Sequence, residues 1–192
     1  MKNLFIRNGS SLFIFIRTKM NNKKYQINHA LYSSRKRKIL LAKAIAAHVR
    51  PTHFVTLSLV QGRKIIGRGG MGTWVRGDDV IYASVHLGFI RSVSKRLVNE
   101  YAWRAHRPLL RSAYAIEGGR GVKRNHMHIV IEKPDDVPEY KFREMVHRMA
   151  ANSTWVMNGN NSVDIRFIEN IDDAEWASFY SVKDGLERIG MS

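Results

Sequence analysis

Short stretches rich in β-branched and aromatic residues alternate along this chain with longer stretches of helical periodicity. His53–Val60 (HFVTLSLV) reads as a strand, with Phe54, Thr56, Ser58 and Val60 on one face and Val55, Leu57 and Leu59 on the other. Arg111–Gly118 (RSAYAIEG) and Asn125–Glu132 (NHMHIVIE) read as two strands around the turn GGRGVKR, and Ser162–Glu169 (SVDIRFIE) as another. Four helices are expected. The first runs from Ser33 or Ser34 to about Val49, with Ile39, Leu40, Ala42, Ile45, Ala46 and Val49 as its stripe. The second spans Val85 to His106, on Leu87, Ile90, Val93, Leu97, Tyr101 and Trp103. The third runs from about Glu139 to Ala150 behind Pro138. The fourth starts near Asp172 or Asp173 and reaches about Ile189, with Gly190 beyond.

Between the first strand and the second helix lies the glycine-rich, basic run GRKIIGRGGMGTWVRGDD, expected as a hairpin or mobile loop. The order of elements predicts an α+β fold with helices packed on an antiparallel sheet. Residues 1–50 are expected as a basic N-terminal extension with one helix, and 51–192 as the main domain.

Charge sharpens that division. Residues 1–77 hold 16 of the 32 Lys and Arg and none of the 16 acids, so the whole excess of +16 lies there. Residues 78–192 carry the other 16 basic residues and all 16 acidic ones, and are formally neutral. A basic segment beside a balanced domain points to a polyanion, most commonly nucleic acid, bound in a salt-dependent way. Arg35, Lys36, Arg37 and Lys38 open the first predicted helix, where the macrodipole disfavours cations, so a phosphate-binding use is expected; a solvated helix start explains them as well. Arg63, Lys64, Arg68 and Trp74 in the glycine-rich run are further candidates for DNA contact, against a plain surface loop.

Several classes fall away. Cysteine is absent, which removes disulfides, thiolate zinc sites and cysteine nucleophiles, and a cytoplasmic setting fits best. Gly67, Gly69 and Gly72 spell G-x-G-x-x-G, but no βαβ unit surrounds them and no G-K-[ST] occurs, so neither a dinucleotide site nor a P-loop is expected. The apolar run Leu12–Ile16 is too short to cross a membrane, and translation is expected to start at Met20.

His126 and His128 stand two apart on a predicted strand and so share a face. If the preceding turn closes symmetrically, Glu117 stands opposite His126 on that face. Two imidazoles and a carboxylate would hold a divalent cation and leave positions open for substrate oxygens; alternating histidines half-buried under a helix are the structural alternative. Tyr180 and Lys183 lie three apart on the last predicted helix, with Asp184 adjacent, while Trp176, Phe179 and Val182 are expected as its apolar anchors. A tyrosine beside a metal-held phosphate can attack phosphorus in line, and Lys183 could orient the phosphate or lower the phenol pKa. His53 is a weaker candidate for the edge of the site; His29, His48, His86, His106 and His147 are expected to be structural or on the surface.

The strands FVTLSL and HMHIVIEKP followed by YSVK resemble, over roughly residues 53–184, the three motifs of HUH endonucleases of the single-tyrosine replication-initiator (Rep) type. The resemblance implies a central antiparallel sheet of about five strands with ferredoxin- or RRM-like topology. It further implies a divalent metal (Mg or Mn) on His126 and His128, Glu117 as the adjoining acid, Tyr180 as nucleophile and Lys183 as the lysine of the third motif. The implied partners are single-stranded DNA or an origin hairpin and, given the length, a host helicase, in a plasmid- or phage-borne setting. Relaxases and single-strand transposases share these motifs. A non-catalytic single-strand binding module and a metal hydrolase using activated water stand as the alternatives.

Overall fold

The computed structural model describes residues 26–67, 70–101, 109–118, 124–159, 161–182 and 188–191. In chain order the elements are α1 (Gln26–Val49), β1 (His53–Ser58), β2 (Gly62–Ile66), β3 (Gly72–Arg76), α2 (Asp79–Tyr101), β4 (Ser112–Glu117), β5 (His126–Ile131), α3 (Glu139–Ala151), β6 (Val163–Phe167), α4 (Ile171–Val182) and β7 (Ile189–Met191). Five strands form an antiparallel sheet in the order β6-β1-β5-β4-β7, and β2 and β3 form a separate ribbon. The expected α+β class with a five-stranded antiparallel sheet is therefore what the chain adopts. Taken without α1, the ribbon, α4 and β7, it is a β-α-β-β-α-β unit with ferredoxin-like topology.

Alternation sorts the strand residues into two layers of core. Val55 and Leu57 of β1 with Leu59 just past its end, Met127, Ile129 and Ile131 of β5, and Ile165 of β6 face α2 and α3, where they meet Phe89, Ile90, Val93, Leu97, Phe142 and Val146. Complete burial of such side chains stabilises by about 1.5–3 kcal/mol each, so this face carries most of the hydrophobic stabilisation. On the other face Phe54, Ala113 and Val130 pack against Ala42, Ile45 and Val49 of α1 and Ala174 and Ala177 of α4. The small alanines let the helices lie close to the sheet. Among the described residues no helix is long and apolar enough to cross a membrane.

Several elements differ from expectation. Helix α2 begins at Asp79, six residues before Val85, because the Asp78 carboxylate caps it by accepting from the Ile81 N–H at 2.8 Å. Its buried face uses Val85 and Phe89 with Ile90, Val93 and Leu97, while Leu87 is only half-buried. Trp103 and His106 lie outside the described residues. Helix α4 starts at Ile171 behind Asn170, whose side chain accepts from the Asp173 N–H, and it does not run to Ile189. Ile189–Met191 is instead an edge strand on β4, with a glycine where the Tyr114 ring crosses: a Cβ at Gly190 would lie 2.4 Å from that ring. Helix α1 begins at Gln26, so Arg35–Lys38 sit inside it rather than at its N-terminus, and the dipole argument for their use lapses. Ile39 and Leu40 are exposed, leaving Ala42, Ile45 and Val49 as the buried stripe. That stripe packs across the expected boundary at residues 50–51 into the same core as β1, β4 and β5.

Candidate active site

On the α1/α4 face the strand register builds three rows. Nearest the covering helices run Arg166, Phe54, Val130, Ala113 and Met191. The next row is Asp164, Thr56, His128, Ala115 and Ile189, and beyond it stand Ser58, His126 and Glu117. The face thus turns from apolar to polar along the strands. The polar end holds two imidazoles, two hydroxyls and two carboxylates, of which Asp164 is paired with Arg166 at 2.9 Å.

Glu117 pairs directly with His126 across β4 and β5. The register depends on the exit from β4. Gly118 has φ of 97°, and a Cβ there would lie 2.4 Å from the Arg124 carbonyl oxygen, so only glycine lets the chain close this tightly.

Of the two histidines, His128 is the more constrained. Its ring is buried, with Nδ1 3.1 Å from Thr56 Oγ1 and Nε2 2.8 Å from Glu117 Oε2. With a neutral ring the carboxylate demands a proton on Nε2, leaving Nδ1 to accept from the threonine hydroxyl. The Glu117 side chain is itself only 15% exposed, so the carboxylate and imidazole satisfy each other in a site largely closed to water. Phe54 stacks on the His128 ring at 5.4 Å and 15°. His126, one pleat further out, is half-buried.

Tyr180 comes to this site from α4. Its ring meets that of His128 edge to face, with centroids 5.3 Å apart at 84°, and that of Phe54 at 5.8 Å and 85°. Trp176, one turn earlier, lies 5.2 Å from it at 30°. The tyrosine is half-buried, while Trp176 is 55% exposed rather than an apolar anchor; Ala174 and Ala177 anchor the helix together with the expected Phe179. Lys183 and Asp184 lie outside the described residues, as does Arg68.

The donor set suits a hard or borderline divalent ion in kind. The Thr56 contact at Nδ1 is the kind of outer partner that orients a ligating imidazole. Among the described residues, however, no group of three or more His, Asp or Glu side chains is gathered in position to hold a metal. Recruiting His126 therefore needs side-chain movement.

The other predicted residues are dispersed. His53 is fully buried on the opposite face, against Phe142 and Phe167, with Nε2 2.8 Å from Glu139 Oε1, so it does not belong to the edge of this site. Burial holds its pKa below the ordinary 6.5 despite the carboxylate. His86 is buried beside Ser112 and Tyr114, with its pKa pushed down to about 3 by desolvation. Arg35, Lys36 and Arg37 are exposed on α1 and Lys38 is half-buried there. Arg63 reaches back to the body of the domain, donating to the Thr154 carbonyl at 3.2 Å and lying over the Trp155 ring, whereas Lys64 and Trp74 are exposed on the ribbon. Thr56 and Trp176 stand at the site although the sequence predicts neither for it, Trp176 being expected only as an apolar anchor. The alternation of β1 put Thr56 on the correct face, and the i,i+4 spacing linked Trp176 to Tyr180; the pairing of β1 with β5 was the missing step.

Comparison with protein-family models, curated proteins and solved structures finds no match.

Proposed function

We propose that this chain is a metal-dependent enzyme that nicks and rejoins single-stranded DNA through a tyrosine nucleophile. One observation carries the reading: the phenol of Tyr180 packs against His128, which is already paired with Glu117 and stands beside His126. Nucleophile, imidazoles and carboxylate thus converge although 54 positions separate His126 from Tyr180 in the chain (180 − 126).

In this scheme His126, His128 and Glu117 would hold a divalent cation, which would supply Lewis-acid polarisation of a scissile phosphate. Glu117 would give up its hydrogen bond from His128 for that role, and Thr56 would keep the imidazole oriented. Tyr180, after losing its phenolic proton, forms the new bond to phosphorus as the bond to the 3′ oxygen breaks; the departing oxygen takes up a proton. The 5′ phosphate stays on Tyr180, and reversal of the step by a 3′ hydroxyl rejoins the strand. Phe54 and Trp176 hold the tyrosine ring by its edge and face. Lys183 is assigned the orientation of the phosphate.

A second reading has its own observation. Both ring nitrogens of His128 already have protein partners, which is also how a purely structural histidine looks. Covalent trapping separates the two. The protein is mixed with a labelled single-stranded oligonucleotide library and Mn, then run on a denaturing gel. A label migrating with protein, abolished by Tyr180→Phe and by a chelator, is the expected outcome. Cleavage without an adduct points to activated water, and salt-sensitive binding with neither product points to a passive binding module.

A further inference from the structure

The two faces of the β2–β3 ribbon differ. One carries Arg63 opposite Val75 and Ile65 opposite Thr73, and Arg63 ties it to Thr154 and Trp155. The other carries Lys64 opposite Trp74, flanked by Gly62 opposite Arg76 and Ile66 opposite Gly72. Each member of the central pair therefore has a glycine as a diagonal neighbour. A Cβ built on Gly62 would lie 3.0 Å from three atoms of the Trp74 indole, and one on Gly72 would run into the Lys64 side chain. The indole lies along the glycine backbone and the aliphatic stem of Lys64 lies across the ribbon. Trp74 is nonetheless 70% exposed, so the ring rests on the ribbon with its surface open to solvent.

Charge selects the occupant. Residues 61–77 contain four basic residues (Arg63, Lys64, Arg68, Arg76) and no acid. Two copies meeting here would oppose like charges, whereas a polyanion is attracted. Duplex DNA offers base edges in its grooves, while an unpaired strand offers π faces that match an open indole. The ribbon also follows β1 at its Ser58 end, beside which His126 lies in register.

We propose that this face of the ribbon is a stacking platform for an unpaired base, with Trp74 as the platform and Lys64 and Arg76 engaging the flanking phosphates. It rests on the reading of single-stranded DNA as the partner, and it extends the strand's path from the tyrosine onto the ribbon. Because the indole recognises a π face, binding here is tolerant of base identity.

The test uses the full chain carrying Tyr180→Phe, titrated with fluorescein-labelled oligo-dT by anisotropy over a series of salt concentrations. Trp74→Leu is expected to weaken binding about tenfold or more without changing the salt slope. Lys64→Ala is expected to flatten that slope by about 0.7. An abasic strand should bind the parent as weakly as dT binds Trp74→Leu, and Trp74→Phe should retain most of the affinity. Unchanged dT affinity in Trp74→Leu overturns the proposal, as does an equal loss on the abasic strand. Dispersal of a dimer in sedimentation with DNA affinity intact would assign the ribbon to a second copy instead. The two readings fail separately: a stacking signature in a wild-type chain that forms no covalent adduct removes the nickase, and an adduct without a Trp74 effect removes the platform.

Discussion

The two faces of the central sheet are built from the same strands by the same alternation, yet they are used differently. On the α2/α3 face, Met127, Ile129 and Ile131 of β5 are fully buried, and the histidines there, His53 and His86, are buried among protein partners with lowered pKa values. On the α1/α4 face the neighbouring positions of the same strand are His126, His128 and Val130. Phe54, Ala113 and Val130 are covered by α1 and α4, and the Tyr180 ring lies against Phe54 and His128. Burial alone therefore does not mark a chemical histidine. His86, with one hydroxyl and an aromatic ring beside it, is held neutral, whereas His128 stands between a carboxylate, a hydroxyl and a phenol-bearing ring.

Deleting side chains from each face tests that contrast most forcefully. Ile129→Ala, on the sealed face, is expected to lower the unfolding free energy by about 2–5 kcal/mol in urea titrations. His128→Ala, one residue away, should cost less, about 1–3 kcal/mol for the hydrogen-bonding partners it leaves, while abolishing the adduct that Tyr180 forms. Equal stability losses with the adduct intact would show that both faces are merely core.

Acid titration sharpens the difference between the histidines. His86 and His53 have folded pKa values below the unfolded value of 6.5, so the unfolded chain binds more protons as pH falls from there. Their contribution is fully present above pH 6.5 and is lost progressively below it, toward pH 3 for His86. His86→Gln is expected to flatten this slope in thermal melts between pH 6 and 4. An unchanged slope would sever the link between that face and acid sensitivity.

The smallest effect is expected at the rim of the α1/α4 face. Lys43 and Glu175 join those helices at 3.8 Å with side chains 58% and 42% exposed. Lys43→Ala should change stability by about 0–1 kcal/mol, lost within error at high salt. A larger loss would mean that the pair clamps α1 over the site.

Much of this was legible in local pattern. Period-two alternation located four of the five sheet strands and assigned His126 and His128 to one face, because the pleat leaves each side chain only two directions; Glu117 joins them through the closure of the β4–β5 turn. Helical periodicity found the four helices, the C-terminal end of α1 and both ends of α3, but not the starts of α1 and α2. The Asp78 and Asn170 caps moved two starts, and Ile189–Met191 was absorbed into a helix because three residues are too few to show a period.

What the sequence by itself determined is which residues share a strand or helix face, since that depends on backbone geometry over a few positions. It also determined the charge split at residue 77. Only the tertiary structure decided what lies across from those faces: β1 beside β5, bringing Thr56 to His128; α4 over the same rows, bringing Tyr180 there; and His53 on the far side. Such pairings join residues tens of positions apart through the packing of whole faces. Arg63 and Lys64 make the same point in miniature: adjacent and alike in charge, they part because the ribbon turns one toward the domain and the other to solvent.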